Sequence, residues 1–193
     1  MIKLRRHSIV LMAMVILFAA PGLFAYVFFH HPTWLGASPT NRGVLLTPPS
    51  LLTSMDQSKK WRLILWNPRA LADKPVGAEK NTPRIACDSK CMHHMDELAR
   101  VRLALGRRLY HVDTYLVLDE NVTPLSAAEL NVLRDQDSHV LVLSAHDQSD
   151  RMILGKKPAI YVVSPENYVI LKYAMVSQPD DIFHDIKQLV NDE

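Results

Sequence analysis

Cysteine is scarce, glycine is sparse and net charge is almost absent. The 193 residues hold two cysteines, Cys87 and Cys91, so any thiol chemistry rests on this one pair. None of the six glycines falls in a glycine-rich phosphate loop, which leaves no signal for nucleotide binding of that kind. A formal net charge of +2 gives no electrostatic case for nucleic-acid binding. Internal repeats and low-complexity segments are missing. Ser144-Ala145-His146-Asp147 carries the residue types of a hydrolytic triad, but no nucleophile elbow accompanies it. Nothing here indicates turnover of a small substrate.

What is present is enough apolar residue, 48%, for one domain with a core and a short appendage. Lys3, Arg5 and Arg6 precede an uncharged run from Ser8 to Phe29. That run is long enough to cross a bilayer as a helix. Pro21 stands where cleavage after Ala19-Ala20 would need an accommodating residue, so we read an uncleaved anchor, with a cleaved signal peptide as the alternative. Basic residues ahead of the span predict a cytoplasmic N-terminus and an exported C-terminal part. Residues 1–7 are thus expected in the cytoplasm, 8–29 in a bacterial inner membrane, 30–60 as a tether, and 61–193 as a periplasmic domain. Proline and glycine at Pro32, Gly36, Pro39, Gly43, Pro48 and Pro49 are the reason for reading a tether.

Trp61 to Trp66 is short, apolar and β-rich, and predicts the first core strand. Residues 67–85 are polar with three prolines and read as a loop, long for a compact domain. Apolar Cys91, Met95, Leu98, Val101 and Leu105 then recur at helical spacing, predicting a helix from Asp88 to Arg108. Thr114–Leu118 is a strand. Ser126 caps a second helix through about Arg134, with Glu129 at the capping-box position. Val140–Leu143 is a short strand. Ala159–Val163 and Tyr168–Tyr173 flank the turn at Pro165-Glu166-Asn167 as a hairpin. Pro179 opens a final helix with Ile182, Phe183, Ile186, Leu189 and Val190 on its core face. The order predicts an α/β, thioredoxin-like sandwich, a βαβαββα core preceded by one N-terminal transmembrane helix.

These pieces resemble the Sco/SenC copper-chaperone group. More closely, they resemble the small Sco-like transmembrane proteins that accompany cytochrome c oxidase assembly. The resemblance is carried by residues 41–49 (NRGVLLTPP), Trp61-Arg62-Leu63, Cys87-xxx-Cys91, residues 101–106 (VRLALG), residues 160–165 (IYVVSP) and the terminal helix, Asp181 to Val190. It implies a Cu(I)-handling accessory protein whose partner is a respiratory oxidase subunit or one of its assembly factors. It also implies a cis-proline at Pro158, facing the cysteines. Two departures stand out: Lys156-Lys157-Pro158 has no histidine where the group places its distant copper ligand, and the 67–86 loop is longer than the group's.

Three uses of the pair remain open. Thiolates are soft ligands that select Cu(I). At i and i+4 their Cβ atoms lie about 5–6 Å apart, a gap that two metal–sulfur bonds of roughly 2.3 Å bridge. His94, at i+7 from Cys87 and i+3 from Cys91, is the candidate third ligand. His93 points elsewhere, and His146 lies in a loop that folding could bring over the site. Alternatively, the pair is redox-active, as a thiol–disulfide reductase of metal-site cysteines, or it forms a structural disulfide in a non-catalytic interaction domain. A disulfide wants Cβ atoms about 3.8 Å apart, so Cys87 must then lie in the loop ahead of the first helical turn. Asp135, Asp137, His139, Asp147 and Asp150 cluster in sequence and are expected to be solvated.

Overall fold

A computed structural model describes residues 2–30, 41–56, 58–68, 86–120 and 124–190. The chain divides into two compact units, residues 1–40 and 41–193.

In the first unit, α1 runs over Ile2–His30 and passes through Pro21 without ending. Its segment Ser8–His30 is long and apolar enough to cross a membrane. At about 1.5 Å per residue, its 23 residues reach roughly 35 Å, against about 30 Å of hydrocarbon.

The second unit is a six-stranded sheet in the order β1-β6-β5-β2-β3-β4. The strands are β1 (Val44–Leu51), β2 (Trp61–Asn67), β3 (Val112–Asp119), β4 (Ser138–Leu143), β5 (Ala159–Val163) and β6 (Tyr168–Ala174). β2, β3 and β4 are parallel neighbours, joined by α2 (Ser89–Ala104) and α3 (Ala127–Asp135). β5 pairs antiparallel with β2, and β6 with β5, as the hairpin predicts. α4 (Gln148–Leu154) precedes β5, and α5 (Pro179–Leu189) follows β6. This is the expected α/β thioredoxin-like sandwich, with β1 added at one edge.

Alternation along β2 divides the core between two faces. Leu63 and Leu65 pack with Met95, Leu98 and Val101 of α2 and with Ile182 and Ile186 of α5. Ile64 and Trp66 face the other way, toward Leu52, Met55 and Leu154. β2 is buried on both faces because it lies inside a mixed sheet, parallel to β3 and antiparallel to β5, with a core cluster on each side.

Local chemistry explains the helix ends. The Asp88 side chain caps α2, and Ser126 with Glu129 forms the complete capping box of α3. Pro179 occupies the first turn of α5. α2 ends at Ala104, short of the expected Arg108. Gly106, at φ 62°, instead opens a 3₁₀ turn over Gly106–His111.

Three expectations need correction. The tether expected over 30–60 contains β1, which pairs antiparallel with β6. An edge strand tolerates Pro48 and Pro49 because its outer side needs no ladder donors. The polar loop after β4 contains α4, too short and too polar to show a helical stripe. Lys157–Pro158 is a trans bond, and Pro158 is exposed where the chain enters β5; among the described residues the cis bond is Thr47–Pro48. The expected 67–86 loop lies outside the described residues except at its ends.

Two buried aspartates pin β1 at its ends. Asp185 of α5 accepts hydrogen bonds from the Arg42 and Gly43 amides and from the Tyr173 hydroxyl, each at 2.8 Å. Asp150 of α4 accepts from the Thr53 amide at 3.0 Å, the Ser54 amide at 2.8 Å and both hydroxyls. Asp150 was expected to be solvated. Burial disfavours its charge, yet the Ser54 and Thr53 bonds outweigh that and hold the carboxyl below its usual range. For Asp185 burial likewise opposes ionisation, and the Gly43 amide, His184, Tyr173 and the Arg42 amide reverse the balance. Burial and the Asp185 carboxylate push the Tyr173 hydroxyl far above its ordinary value.

Candidate functional site: a disulfide at the start of α2

The site is built where β2 ends and α2 begins. The Asn67 side-chain amide, at the carboxyl end of β2, donates to the Ala86 carbonyl at 3.2 Å. This fixes the residue immediately before Cys87. Asp88 follows as the N-cap, in extended conformation, and its Oδ1 accepts from the Cys91 amide at 2.9 Å. Cys87 therefore lies one residue ahead of the cap, while Cys91 is in the first helical turn. That departure from helical geometry brings the Cα atoms to 5.3 Å, and the two sulfurs form a disulfide.

Cys87 is 1% and Cys91 5% exposed, and both belong to the core cluster that contains Leu65, Leu118, Ile160 and Tyr173. The register sets Ala159 opposite Trp66, so the start of β5 lies at the same end of the sheet. β6 ends here too, with Ala174 opposite Ala159.

Chemically, a disulfide in this position can accept two electrons and open to two thiols. At a helix N-terminus, the amides and the dipole favour a thiolate. In the oxidised form the sulfurs offer no thiolate to a metal. Of the three expected ligands, the structure joins Cys87 to Cys91 and does not bring His94 to them. His94 is 19% exposed at its side chain, and its Nδ1 lies 2.8 Å from Glu97 Oε2. The reason is helical spacing: Glu97 stands three residues on from His94 and four from His93, so both rings turn toward it. No group of three or more histidine, cysteine, aspartate or glutamate side chains is placed to hold a metal among the described residues. The donor set assembled here does not fit resident copper.

The other candidates disperse. Asp147 accepts from the Ser144 amide and hydroxyl, while His146 is exposed, so these residues form a turn and not a triad. Asp137 pairs with the buried Arg102. The ring of His139 lies against Tyr115. The residue at the site that spacing did not single out is Asp88; an acidic residue directly before a helical stripe was the available signal.

No curated protein matches the chain. Among solved structures, apo Sco1 from Thermus thermophilus is similar at 15% identity and TM-score 0.51, covering 79% of this chain and 99% of that one. Arabidopsis thaliana ScoI with copper bound is similar at 11% identity and TM-score 0.50, covering 71% and 88%. The thioredoxin domain of a thiol-disulfide oxidoreductase from Bacteroides vulgatus aligns at 16% identity and TM-score 0.42, covering 77% and 97%. At these identities the two Sco likenesses speak for the thioredoxin-like fold alone. Residues 81–191 match the family described as Transmembrane-like, thioredoxin-like, C-terminal domain. That match takes in the cysteine pair, α2, strands β3 to β6 and α5, more than half of the 193 residues, and the chain belongs to this family.

Proposed function

We propose that this protein is a membrane-anchored thiol–disulfide protein whose Cys87–Cys91 pair cycles between disulfide and dithiol in exchange with cysteines of a partner. The observation that carries the reading is the disulfide itself, set across the N-cap of α2 at the carboxyl end of the central strand. Its partner is a respiratory oxidase subunit or an assembly factor with metal-site cysteines, and the domain works on the periplasmic side of a bacterial inner membrane. The sequence resemblance to Sco-like oxidase-assembly proteins supports the partner. The basic residues ahead of the apolar span support the orientation.

A second reading has the reduced pair taking up Cu(I). It is favoured by the similarity to ScoI with copper bound and by the soft character of two thiolates. Reduction would free two sulfurs on residues whose Cα atoms lie 5.3 Å apart. His94 would have to leave Glu97 to join them.

The test uses the full chain in detergent. Redox titration with trapping of free thiols is expected to show a reversible two-electron couple in the folded protein, lost in Cys87→Ser and Cys91→Ser. Anaerobic Cu(I) titration of the reduced chain separates the readings. One tightly bound equivalent, abolished by Cys87→Ser and weakened by His94→Ala, supports copper handling. A reversible couple without copper binding supports thiol exchange alone. A pair that resists reduction until the fold melts leaves a structural disulfide.

A further inference from the structure

We infer that β4 pairs with the β4 of a second copy of this chain, antiparallel about a two-fold axis through Leu141, joining two domains into one continuous sheet. The inference is independent of the redox reading and adds an interaction surface.

The sheet has two edges, β1 and β4, and they are finished differently. β1 carries Pro48 and Pro49, and its pairing with β6 shifts register between Leu45 and Ser50. Prolines and irregular pairing keep an edge from recruiting another strand. β4 has neither. Its six residues, Ser138–Leu143, hold register with β3 from end to end. They include no proline, lysine, arginine, aspartate or glutamate. Pairing on one side leaves alternate N–H and C=O groups directed outward, so β4 presents an open ladder. Among the described residues, one group from outside the sheet bonds to its backbone: the Arg151 guanidinium, on the Leu143 carbonyl at 3.0 Å.

The side chains say which strand fits. Leu141 and Leu143 pack on the core cluster of one face. Alternation puts Val140 and Val142 on the other, where they are 36% and 51% exposed. α3 lies on that face, with Leu133 in the core, and leaves both valines open to solvent. Val140-Leu141-Val142 reads the same in both directions about Leu141. A two-fold axis perpendicular to the sheet at Leu141 therefore sets Val140 opposite the partner's Val142, and Val142 opposite the partner's Val140. Both pairs share one face, and Leu141 meets the partner's Leu141 on the other. An isologous contact requires this self-complementarity, and a foreign strand does not. Directly opposed β-branched residues are stabilising cross-strand pairs.

Charge does not oppose the contact. The acidic residues just outside the strand are engaged within their own chain, Asp137 by Arg102 and Asp147 by Ser144. Each copy also carries the membrane-length segment Ser8–His30. Confinement to one bilayer raises the effective concentration of copies, so a contact as small as one strand pair suffices. Antiparallel pairing points the parallel strands of the two domains in opposite directions. β4 stands two strands from β2, so both Cys87–Cys91 disulfides are left free of the contact.

The experiment uses the full chain in phosphatidylcholine vesicles, with association read by energy transfer between labelled copies as protein density is varied. Wild type is expected to self-associate. Val142→Lys puts a charge on the edge and is expected to weaken association about tenfold. Val44→Lys, at an exposed position on the other edge, is expected to leave it unchanged. Val140→Glu combined with Val142→Lys is expected to restore association, because each glutamate then faces the partner's lysine. Leu141→Cys is expected to cross-link between copies with a short bismaleimide, since directly opposite Cβ atoms lie about 4.5–5.5 Å apart. Val176→Cys, exposed and off β4, is not. Melting curves check that each variant is folded. Wild type that stays monomeric at every density overturns the inference. Association unchanged in Val142→Lys places the contact elsewhere, α1 included, and also overturns it. So does equal cross-linking at Leu141→Cys and Val176→Cys. A monomeric chain that holds a different polypeptide on β4, released by Val142→Lys, gives the edge to a foreign strand and overturns the second copy as its occupant.

Discussion

Asp150 is a carboxylate whose value lies in what it receives. The Thr53 and Ser54 amides and hydroxyls converge on it, so removing the buried side chain leaves four partly buried donors without their acceptor. Asp150→Ala is expected to cost about 2–3 kcal/mol, read as a lower urea midpoint at unchanged slope. Gly43 is constrained by a different neighbour. A Cβ there would lie 2.5 Å from the Tyr173 ring, which is buried and held by Asp185. Gly43→Ala is therefore expected to destabilise by about 1–3 kcal/mol through displacement of that ring. Gly43→Ala with Tyr173→Phe should not recover the loss, because the close atoms include ring carbons as well as the hydroxyl.

Among the elements, α2 carries the chemistry and is anchored from both sides. Its core face buries Met95 and Leu98 completely, while Asn67 and Asp88 fix its entry. The disulfide closes only a short loop, with a sequence separation of 4. Loop-closure entropy for so few residues contributes about 2 kcal/mol. Reduction is therefore expected to lower the melting temperature by about 4–8 °C while leaving one cooperative transition. A calorimetric scan with and without reductant checks this. Loss of cooperativity on reduction would mean that the pair holds the domain together, contrary to a working redox couple. α3 is a peripheral helix with one fully buried residue, Leu133, and depends more on its capping box. Ser126→Ala is expected to cost about 1 kcal/mol, measured by denaturant unfolding.

At the scale of the whole molecule, Asp150 and Asp185 make the second unit acid-sensitive. Both carboxyls are held below their unfolded value of 3.8, so the folded state binds fewer protons than the unfolded chain as pH falls. Their contribution is present above that value and is lost as pH drops through the folded pKa of each. Stability is expected to be flat from neutral pH to about pH 5 and to fall below about pH 4. In Asp150→Asn that acid slope is expected to be shallower, as chemical denaturation at graded pH would show.

How much was legible divides along the range of the forces involved. Local patterns declared α2, the Ser126 capping box, the β5–β6 hairpin and the proline start of α5, because each is set by residues within a few positions. The apolar span from Ser8 declared itself by length and lack of charge. The cysteine pair declared itself by being the only one. β1 stayed hidden, because Pro48 and Pro49 normally break strands and its pairing partner lies more than a hundred residues away in β6. α4 stayed hidden because it is short and its burial is concentrated in Asp150 and Leu154. Whether His94 met the sulfurs, whether Asp150 was solvated and whether Pro158 was cis depended on neighbours that no local pattern names. The sequence by itself determined the membrane-length helix, the α/β order and the position of the thiols, since periodicity, capping and scarcity act locally. Tertiary structure alone decided that β1 closes the sheet edge, that two buried aspartates secure it, and that Cys87 and Cys91 meet as a disulfide beneath the Asp88 cap. Those outcomes require backbone and side chains far apart in the chain to be brought within hydrogen-bonding or bonding distance.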